Sequence, residues 1–347
     1  MSVEEDNTPL VLKAHRDKFL WKLENIPKRE STFQLAKDTL NYLRRVVLMG
    51  KYDTIEDAVT LLRREGSYIY AANKSEFVVR NMVLFVLKMM RDEWYRLKWG
   101  VDALCNPYDS LNKLWLSDND NKKKVSATAL KKGTIASIKE FIEEMNNCAD
   151  NMCKQASDHI LKGDTIITFK LNEANTLKEF ILAARKVNKG FHILQVSDND
   201  EVCDLGGETI NSCDVLGAMR VSTRVVISAA AILPDGSCIC QSGTLNLCLA
   251  AKTYSVPVLV ICAFYKLTPK FIPNSENCQF EGCPLDVLEA KDIEKYENIN
   301  VVNSSFDLIP AHLVSLYVTS TSAVKSAHVY RLIGEYYHPD DLYDVTW

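Results

Sequence analysis

Along the first half of the chain, apolar residues return at steps of three and four. Phe33, Ala36, Leu40, Leu43 and Val47 do so behind Ser31, whose spacing to Gln34 fits a capping box, and predict a helix over residues 31–49. A second helix is predicted from Thr54 to Gly66, with Gly66 as its terminating residue after Arg63-Arg64-Glu65. A third is predicted from Ser75 through Val79, Met82, Val83, Val86, Met89 and Met90 to Trp94. Residues 97–133 break the period: Asn106-Pro107 and the run from Ser117 to Lys124 read as a mobile loop, its lysines as a solvated linker and, as the lesser alternative, a phosphate-binding patch. Ile135, Ile138, Ile142, Met145, Ala149, Met152, Ala156 and Ile160 then predict the longest helix, closed by Lys162-Gly163. At 1.5 Å per residue it is a rod of roughly 40 Å, read as the spine of a helical domain rather than a coiled coil.

After Gly163 the pattern changes. Short, nearly continuous apolar runs at Thr165–Phe169, Phe191–Val196, Arg224–Ser228 and Val256–Cys262 read as buried strands. Helical patterns separate them: Asn175 to Ala184, a short stretch at Val215–Met219, and Thr244–Thr253. Strands alternating with helices predict right-handed crossovers and a parallel sheet. The expected fold class is therefore α/β: a helical N-terminal domain over residues 1–163 and a Rossmann-like domain over 164–347.

Composition narrows the function classes. With 347 residues the chain can bury a sizeable core without disulfide or metal staples. Lys plus Arg is 41 against 45 for Asp plus Glu, a formal charge of −4, which argues against nucleic-acid binding driven by bulk charge. Apolar runs such as Val256–Phe264 fall well short of the roughly 20 residues that span a membrane. The opening Met1-Ser2-Val3-Glu4-Glu5-Asp6 lacks the order of a signal peptide, so reduced thiols and a cytosolic location are expected for the eleven cysteines.

Candidate chemistry is sparse. The chain has no G-x-G-x-x-G or P-loop, and Gly206-Gly207 reads as a turn. Cys238-Ile239-Cys240 and the Cys278 to Cys283 spacing match structural zinc poorly, so no metal and no cofactor are expected. None of the six histidines stands in a nucleophile setting, and His192, opening an apolar run, reads as a core or interface residue. Gln241-Ser242-Gly243-Thr244 precedes a helix whose free N–H groups could hold an anion, with Thr244 as its cap; a plain N-cap is the simpler reading.

Several segments together resemble the regulatory subunits of translation initiation factor 2B, the β type in particular. They are Leu62-Arg63-Arg64-Glu65-Gly66, Ala71-Ala72-Asn73-Lys74-Ser75-Glu76, Asn81-Met82-Val83, Val86-Leu87-Lys88, Ser242-Gly243-Thr244 with Leu249-Ala250-Ala251-Lys252, and Phe264-Tyr265-Lys266-Leu267-Thr268-Pro269. The ending, Tyr330-Arg331-Leu332-Ile333 with Tyr337-His338-Pro339-Asp340-Asp341, carries the β likeness. The resemblance covers about residues 30–342. It implies a non-catalytic scaffold of the guanine-nucleotide exchange factor for initiation factor 2. The implied partners are the δ, α, γ and ε subunits and the α subunit of initiation factor 2, whose phosphorylation the core reads; no nucleic acid and no membrane are implied.

The same fold family includes sugar-phosphate isomerases that use a Cys after the first strand and an Asp before the loop leading into N-K-I-G-T. The resemblance puts Lys170 and Ala230 at those positions, and Gly243 and Thr244 in a degenerate remnant of the pocket. Neither Lys170 nor Ala230 supplies the proton-transfer group required there. The acidic Ser197-Asp198-Asn199-Asp200 would repel a phosphate, and the stretch between Val196 and Val215 reads as a remodelled strand–helix unit. An isomerase or a metabolite sensor of this fold is the alternative. Candidate interface residues are His192, Tyr330, Tyr336, Tyr337 and His338, with closure of the chain's own core as the competing role for the aromatic tail.

Overall fold

The computed structural model describes residues 10–25, 31–73, 76–99, 125–197, 203, 205–272, 282–288, 291 and 300–343. The chain divides into two compact units: Met1–Asn146 with Ile333–Trp347, and Asn147–Leu332. The division expected at residue 163 thus falls earlier, inside a continuous helix, and the C-terminal segment belongs to the helical unit instead of the sheet unit.

The helical unit contains α1 (Leu10–Glu24), α2 (Thr32–Met49), α3 (Ile55–Ala72), α4 (Phe77–Trp99), the first part of α5 (Ala127–Lys154), and the C-terminal segment. α1 escapes the periodicity because it is apolar on more than one side: Leu12, Phe19 and Leu23 are buried while Val11 and Trp21 are exposed. α2 begins as expected, but Ser31 makes no side-chain cap bond and Gln34 donates to Asp38 instead. The capping box forms at Thr54, whose hydroxyl accepts from Asp57 N while the Asp57 carboxylate accepts from Thr54 N.

α3 does not stop at Gly66. Its buried stripe of Ala58, Val59, Leu62, Glu65, Gly66 and Ile69 continues the three-and-four step past that residue. The predicted loop is shorter at both ends, since α4 reaches Trp99 and α5 starts at Ala127; the polar run Ser117–Lys124 lies outside the described residues. α5 ends at Lys154, before Ile160, and a one-turn helix, α6 (Ala156–His159), carries the chain to Gly163, whose φ of +86° makes the turn into the sheet.

Two buried carboxylates account for the Arg63-Arg64-Glu65 segment. Glu65, fully buried, accepts from Arg16 Nε (2.9 Å), Arg16 Nη2 (2.6 Å) and the Tyr42 hydroxyl (2.6 Å), which ties α1 and α2 to α3. Asp341 accepts from Arg63 (2.9 Å) and from Arg91 Nε (3.0 Å) and Nη2 (2.9 Å), which fastens the C-terminal segment to α3 and α4. Charge-assisted bonds of this kind are costly to break once desolvated.

The second unit holds a seven-stranded sheet of order β10-β9-β7-β4-β1-β2-β3. Its strands are β1 (Thr165–Phe169), β2 (His192–Val196), β3 (Glu208–Ile210), β4 (Arg224–Ser228), β7 (Val258–Ile261), β9 (Leu316–Val318) and β10 (Ala323–Val324). All neighbours are parallel except β9–β10. β5 (Ala231–Ile232), β6 (Cys238–Gln241) and β8 (Phe306–Ile309) form a separate antiparallel sheet. The crossover helices are α7 (Asn175–Val187), the single-turn α8 (Val215–Ala218) and α9 (Thr244–Thr253). Between β2 and β4 the described residues form the three-residue edge strand β3, a single 3-10 turn at Ser212–Asp214 and α8. No helix among the described residues is long and apolar enough to cross a membrane.

The C-terminal helices α10 (Val329–Tyr336) and α11 (Pro339–Tyr343) decide the fate of the aromatic tail. Tyr337 is 1% exposed, with its ring 4.8 Å from that of Phe85, so it is a core residue of the helical unit and not a partner contact. Burial pushes its phenol up, and the Arg80 guanidinium opposes that. Tyr336 packs edge-on against Phe85 and is half-buried, whereas Tyr330 is 63% exposed. Tyr337→Ala should therefore cost about 3–5 kcal/mol in urea unfolding of the isolated chain, as for other large-to-small core changes. Tyr330→Ala should stay within about 0.5 kcal/mol. Equal losses would show that the tail is held differently.

Candidate functional site

Strand order reverses at the centre of the sheet. From β1 the chain moves to β2 and β3 on one side, then returns to β4, β7 and β9 on the other. In open α/β sheets that reversal opens a crevice outside the carboxyl ends of the two central strands, where ligands bind. Here its lips are the residues that follow β1 and β4, namely Lys170 and Ala229-Ala230.

Lys170 adopts a left-handed conformation (φ +42°, ψ +51°) and its backbone N–H donates to Val196 O, so the chain turns sharply away from the sheet. Its ammonium lies 5.5 Å from the centroid of the neighbouring Phe169 ring. Ala230 donates its backbone N–H to Ile239 O (2.8 Å), the contact that starts the β5–β6 hairpin. Lys266, in the Phe264–Pro269 segment, donates to Ala229 O at 2.9 Å. Of these side chains only the two lysines ionise, and one is spent on a carbonyl.

The Gln241–Thr244 turn is already satisfied from within. Gly243, at φ +97°, is the N-cap residue of α9. Thr244 does not cap the helix as expected; its hydroxyl donates to Gln241 O at 2.7 Å. The cap is Asp307 of β8, whose Oδ2 accepts from Gly243 N (2.7 Å) and Leu245 N (3.0 Å). Gln241 in turn donates to Glu173, just after β1, at 2.7 Å. The buried Phe169 ring covers Gly243 so closely that a Cβ there would sit 2.7 Å from the ring edge. Sequence reasoning missed Asp307 and Phe169, since neither is near the turn in the chain. The described part of the acidic loop after β2 is Ser197 alone; Asp198, Asn199 and Asp200 lie outside the described residues.

The cysteines of this region are not poised for chemistry. Cys238 and Cys240 are fully buried with sulfurs 3.7 Å apart, and their mutual hydrogen bond and burial push Cys240 up. Burial also holds the thiols of Cys248 and Cys262 up at about 12, so both stay protonated at neutral pH. A separate open groove of about 650 Å³ runs between the end of α5 and α7, lined by Asn147, Asp150, Cys153, Lys154, Ser157 and Lys186 among others, none of them crevice residues. Of the candidate interface residues, His192 is exposed at the start of β2, its backbone donating to Asp164 O. His338 is half-buried, its Nδ1 accepting from Asp340 N at 3.3 Å.

Comparison with known proteins adds a second line of argument. The family model described as the initiation factor 2 subunit family matches residues 28–198 and 213–326. The chain is 26% identical to translation initiation factor eIF2B subunit beta of Dictyostelium discoideum, across 90% of this chain and 92% of the relative. It is 24% identical to ribose 1,5-bisphosphate isomerase of Methanocaldococcus jannaschii, across 88% of this chain and 90% of the relative. Among solved structures it is similar to eIF2B beta from Chaetomium thermophilum, with a TM-score of 0.71, 20% identity, and coverage of 95% of this chain and 93% of that one. It is also similar to a chain of the tetrameric eIF2B-beta2-delta2 complex from that source, with a TM-score of 0.69, 20% identity, and coverage of 94% and 95%.

The fit of Gly243 under Phe169 makes a sharp prediction. Gly243→Ala should destabilise the chain by about 1–3 kcal/mol, from the left-handed backbone and the ring clash together. Adding Phe169→Leu should remove the clash share of that loss, measurable as coupling in a double-mutant cycle of urea midpoints. Additive losses would mean that ring and glycine do not meet. Asp307→Ala should cost about 1–2 kcal/mol, the scale of a lost helix cap.

Proposed function

Because the chain belongs to the initiation factor 2 subunit family, we propose that it is a regulatory and scaffolding subunit, of the β type, in the guanine-nucleotide exchange factor for translation initiation factor 2. Under this proposal it pairs with a δ-type subunit, joins α, γ and ε subunits in one cytosolic assembly, and helps to sense phosphorylation of the α subunit of initiation factor 2. Likeness over nearly the whole length to a β subunit, and to a chain of a β–δ complex, supports the subunit role.

The observation that carries the non-catalytic part of the proposal is the crevice. At its lips stand Lys170 and Ala230, where the resemblance expects a thiol and a carboxylate. Interconverting an aldose and a ketose needs an acid and a base within hydrogen-bond reach of adjacent carbons. Ala230 can be neither, and the Lys170 ammonium lies 5.5 Å from the centroid of the Phe169 ring. Scaffolding needs surface instead. α8 packs beside α9, and the side chains of Leu216, Val221, Leu249 and Tyr254 on and after these helices are exposed. We assign this apolar surface, with His192 and Tyr330, to subunit contacts.

Two measurements test the proposal. Chain purified from its native extract should bring down a δ-type partner identified by mass, and Leu249→Asp should weaken that recovery at unchanged melting temperature. The purified chain and its complex should not turn over ribose 1,5-bisphosphate or methylthioribose 1-phosphate. Turnover that survives repurification and is lost in Lys170→Ala would replace the scaffold with an isomerase.

A further inference from the structure

The α1–α2 pair carries a feature that the subunit role does not use. Three contacts set the two helices antiparallel: Lys22 pairs with Asp38, the Phe19 and Tyr42 rings stack at 4.8 Å, and Arg45 bonds His15 at 3.3 Å. Leu12, Arg16, Phe19 and Leu23 form the buried side of α1. Beside it, at steps of four, three and four, run Val11, His15, Lys18 and Lys22. The facing flank of α2 runs the other way as Leu48, Arg45, Asn41 and Asp38. The result is a stripe along the seam with a basic middle and an apolar end, where Val11 (59%) and Leu48 (58%) are exposed.

The charge of this stripe is opposite to that of the chain. The molecule carries a formal −4, yet the stripe holds Lys18, Lys22 and Arg45 beside His15, with Asp38 as its carboxylate. Asp38 is taken by Lys22 and by Gln34. Among the described residues no carboxylate pairs with Lys18 or Arg45, and both are exposed. A guanidinium only donates, so His15 Nδ1 accepts from Arg45 and its Nε2–H remains a donor. Asp17 and Glu24 lie on the far flank of α1, where they do not neutralise the stripe.

We propose that the α1–α2 seam is a docking surface for an acidic segment of a partner protein that carries an apolar residue beside its carboxylates. The spacing defines the ligand. From Lys18 to Val11 is seven helical residues, roughly 10 Å along the axis. That is about three residues of extended peptide at 3.3 Å each. A carboxylate facing Lys18 therefore places a residue three positions on at Val11, and Arg45, only about 4.5 Å along α2 from Leu48, takes a second carboxylate nearer the apolar residue. Charged rim contacts set orientation and on-rate, and an aliphatic anchor in the same stripe adds affinity. Nucleic acid fits less well: Asp38 lies within the stripe and would repel phosphodiesters, and the stripe has no Phe, Tyr or Trp for base stacking.

The test uses the full chain and a short synthetic peptide with a glutamate pair three positions from a leucine. Binding is read by calorimetry at low and moderate salt. The peptide should bind, more weakly as salt rises, and the Lys18→Glu/Arg45→Glu double variant should lose roughly tenfold or more in affinity. Both positions are exposed, so the variant should melt as the parent does. Leu48→Ser should weaken the same peptide without affecting a peptide whose leucine is replaced by serine. The proposal is overturned if the double variant binds unchanged while folded, or if no binding is seen. It is overturned as well if an RNA oligonucleotide of matched length binds as tightly, or if the parent self-associates through this stripe and the variant does not.

Discussion

The reversal of strand order at β1 is the constraint from which the sheet unit's organisation follows. A parallel pair cannot be closed by a tight turn, so each step needs a crossover that covers one face. Moving first towards β3 and then back past β1 to β9 puts the crossovers on opposite faces and leaves β1 and β4 buried on both. That burial is why Ile166, Ile167, Val225, Val226 and Ile227 form unbroken apolar runs. The same reversal parts the connections above the carboxyl ends of β1 and β4 and thereby makes a crevice whether or not any chemistry is kept there. Topology therefore places the crevice, and the side chains at its lips decide what chemistry it can carry.

Around the Gln241–Thr244 turn, side chains and backbone satisfy one another. The N-terminus of α9 would present unpaired N–H groups, but Asp307 accepts from two of them, and Gln241 is held by Glu173. Phe169 fills the space that the missing side chain of Gly243 leaves. The helical unit follows the same rule at larger cost. Glu65 and Asp341 are carboxylates removed from water, each held by cationic donors reaching in from other helices. A buried ion pair adds little net stability over an apolar substitute, but its loss from one side strands a charge. These two therefore act chiefly as registers that fix where α1 and the C-terminal helices dock.

Legibility followed from how local each cause is. The strands at 165–169 and 224–228 and the helix at 244–253 were readable because burial on both faces, or one stripe, writes itself into consecutive residues. β5, β6 and β8 were not, since an antiparallel sheet made from segments some 70 residues apart is set by pairing such as Ile239 with Leu308. α1 was missed because exposed Val11 and Trp21 blur its period. Gly66 misled because glycine marks a helix end only where the backbone turns left-handed, and here it lies inside α3 on the buried stripe. At the crevice, Lys170 was singled out by the family resemblance, and Gly243 and Thr244 by their place before a helix as well. Asp307 and Phe169, which decide what the turn can still bind, act from other elements and carry no local signal.

The aromatic tail shows why composition alone could not separate core from surface. Tyr330, Tyr336 and Tyr337 fall within one short stretch, yet one is exposed, one half-buried and one sealed against Phe85. Helical spacing does not explain the split: Tyr330 and Tyr337 are seven residues apart and fall on one face with buried Ile333. What differs is cover, for the Phe85 ring lies against Tyr337 while Tyr330 is left exposed. The anchor is then completed by Asp341, a further four residues on from Tyr337, which receives Arg63 and Arg91. Apolar packing and ion pairing thus reinforce one register, so the tail clamps the helical unit while Tyr330 stays exposed.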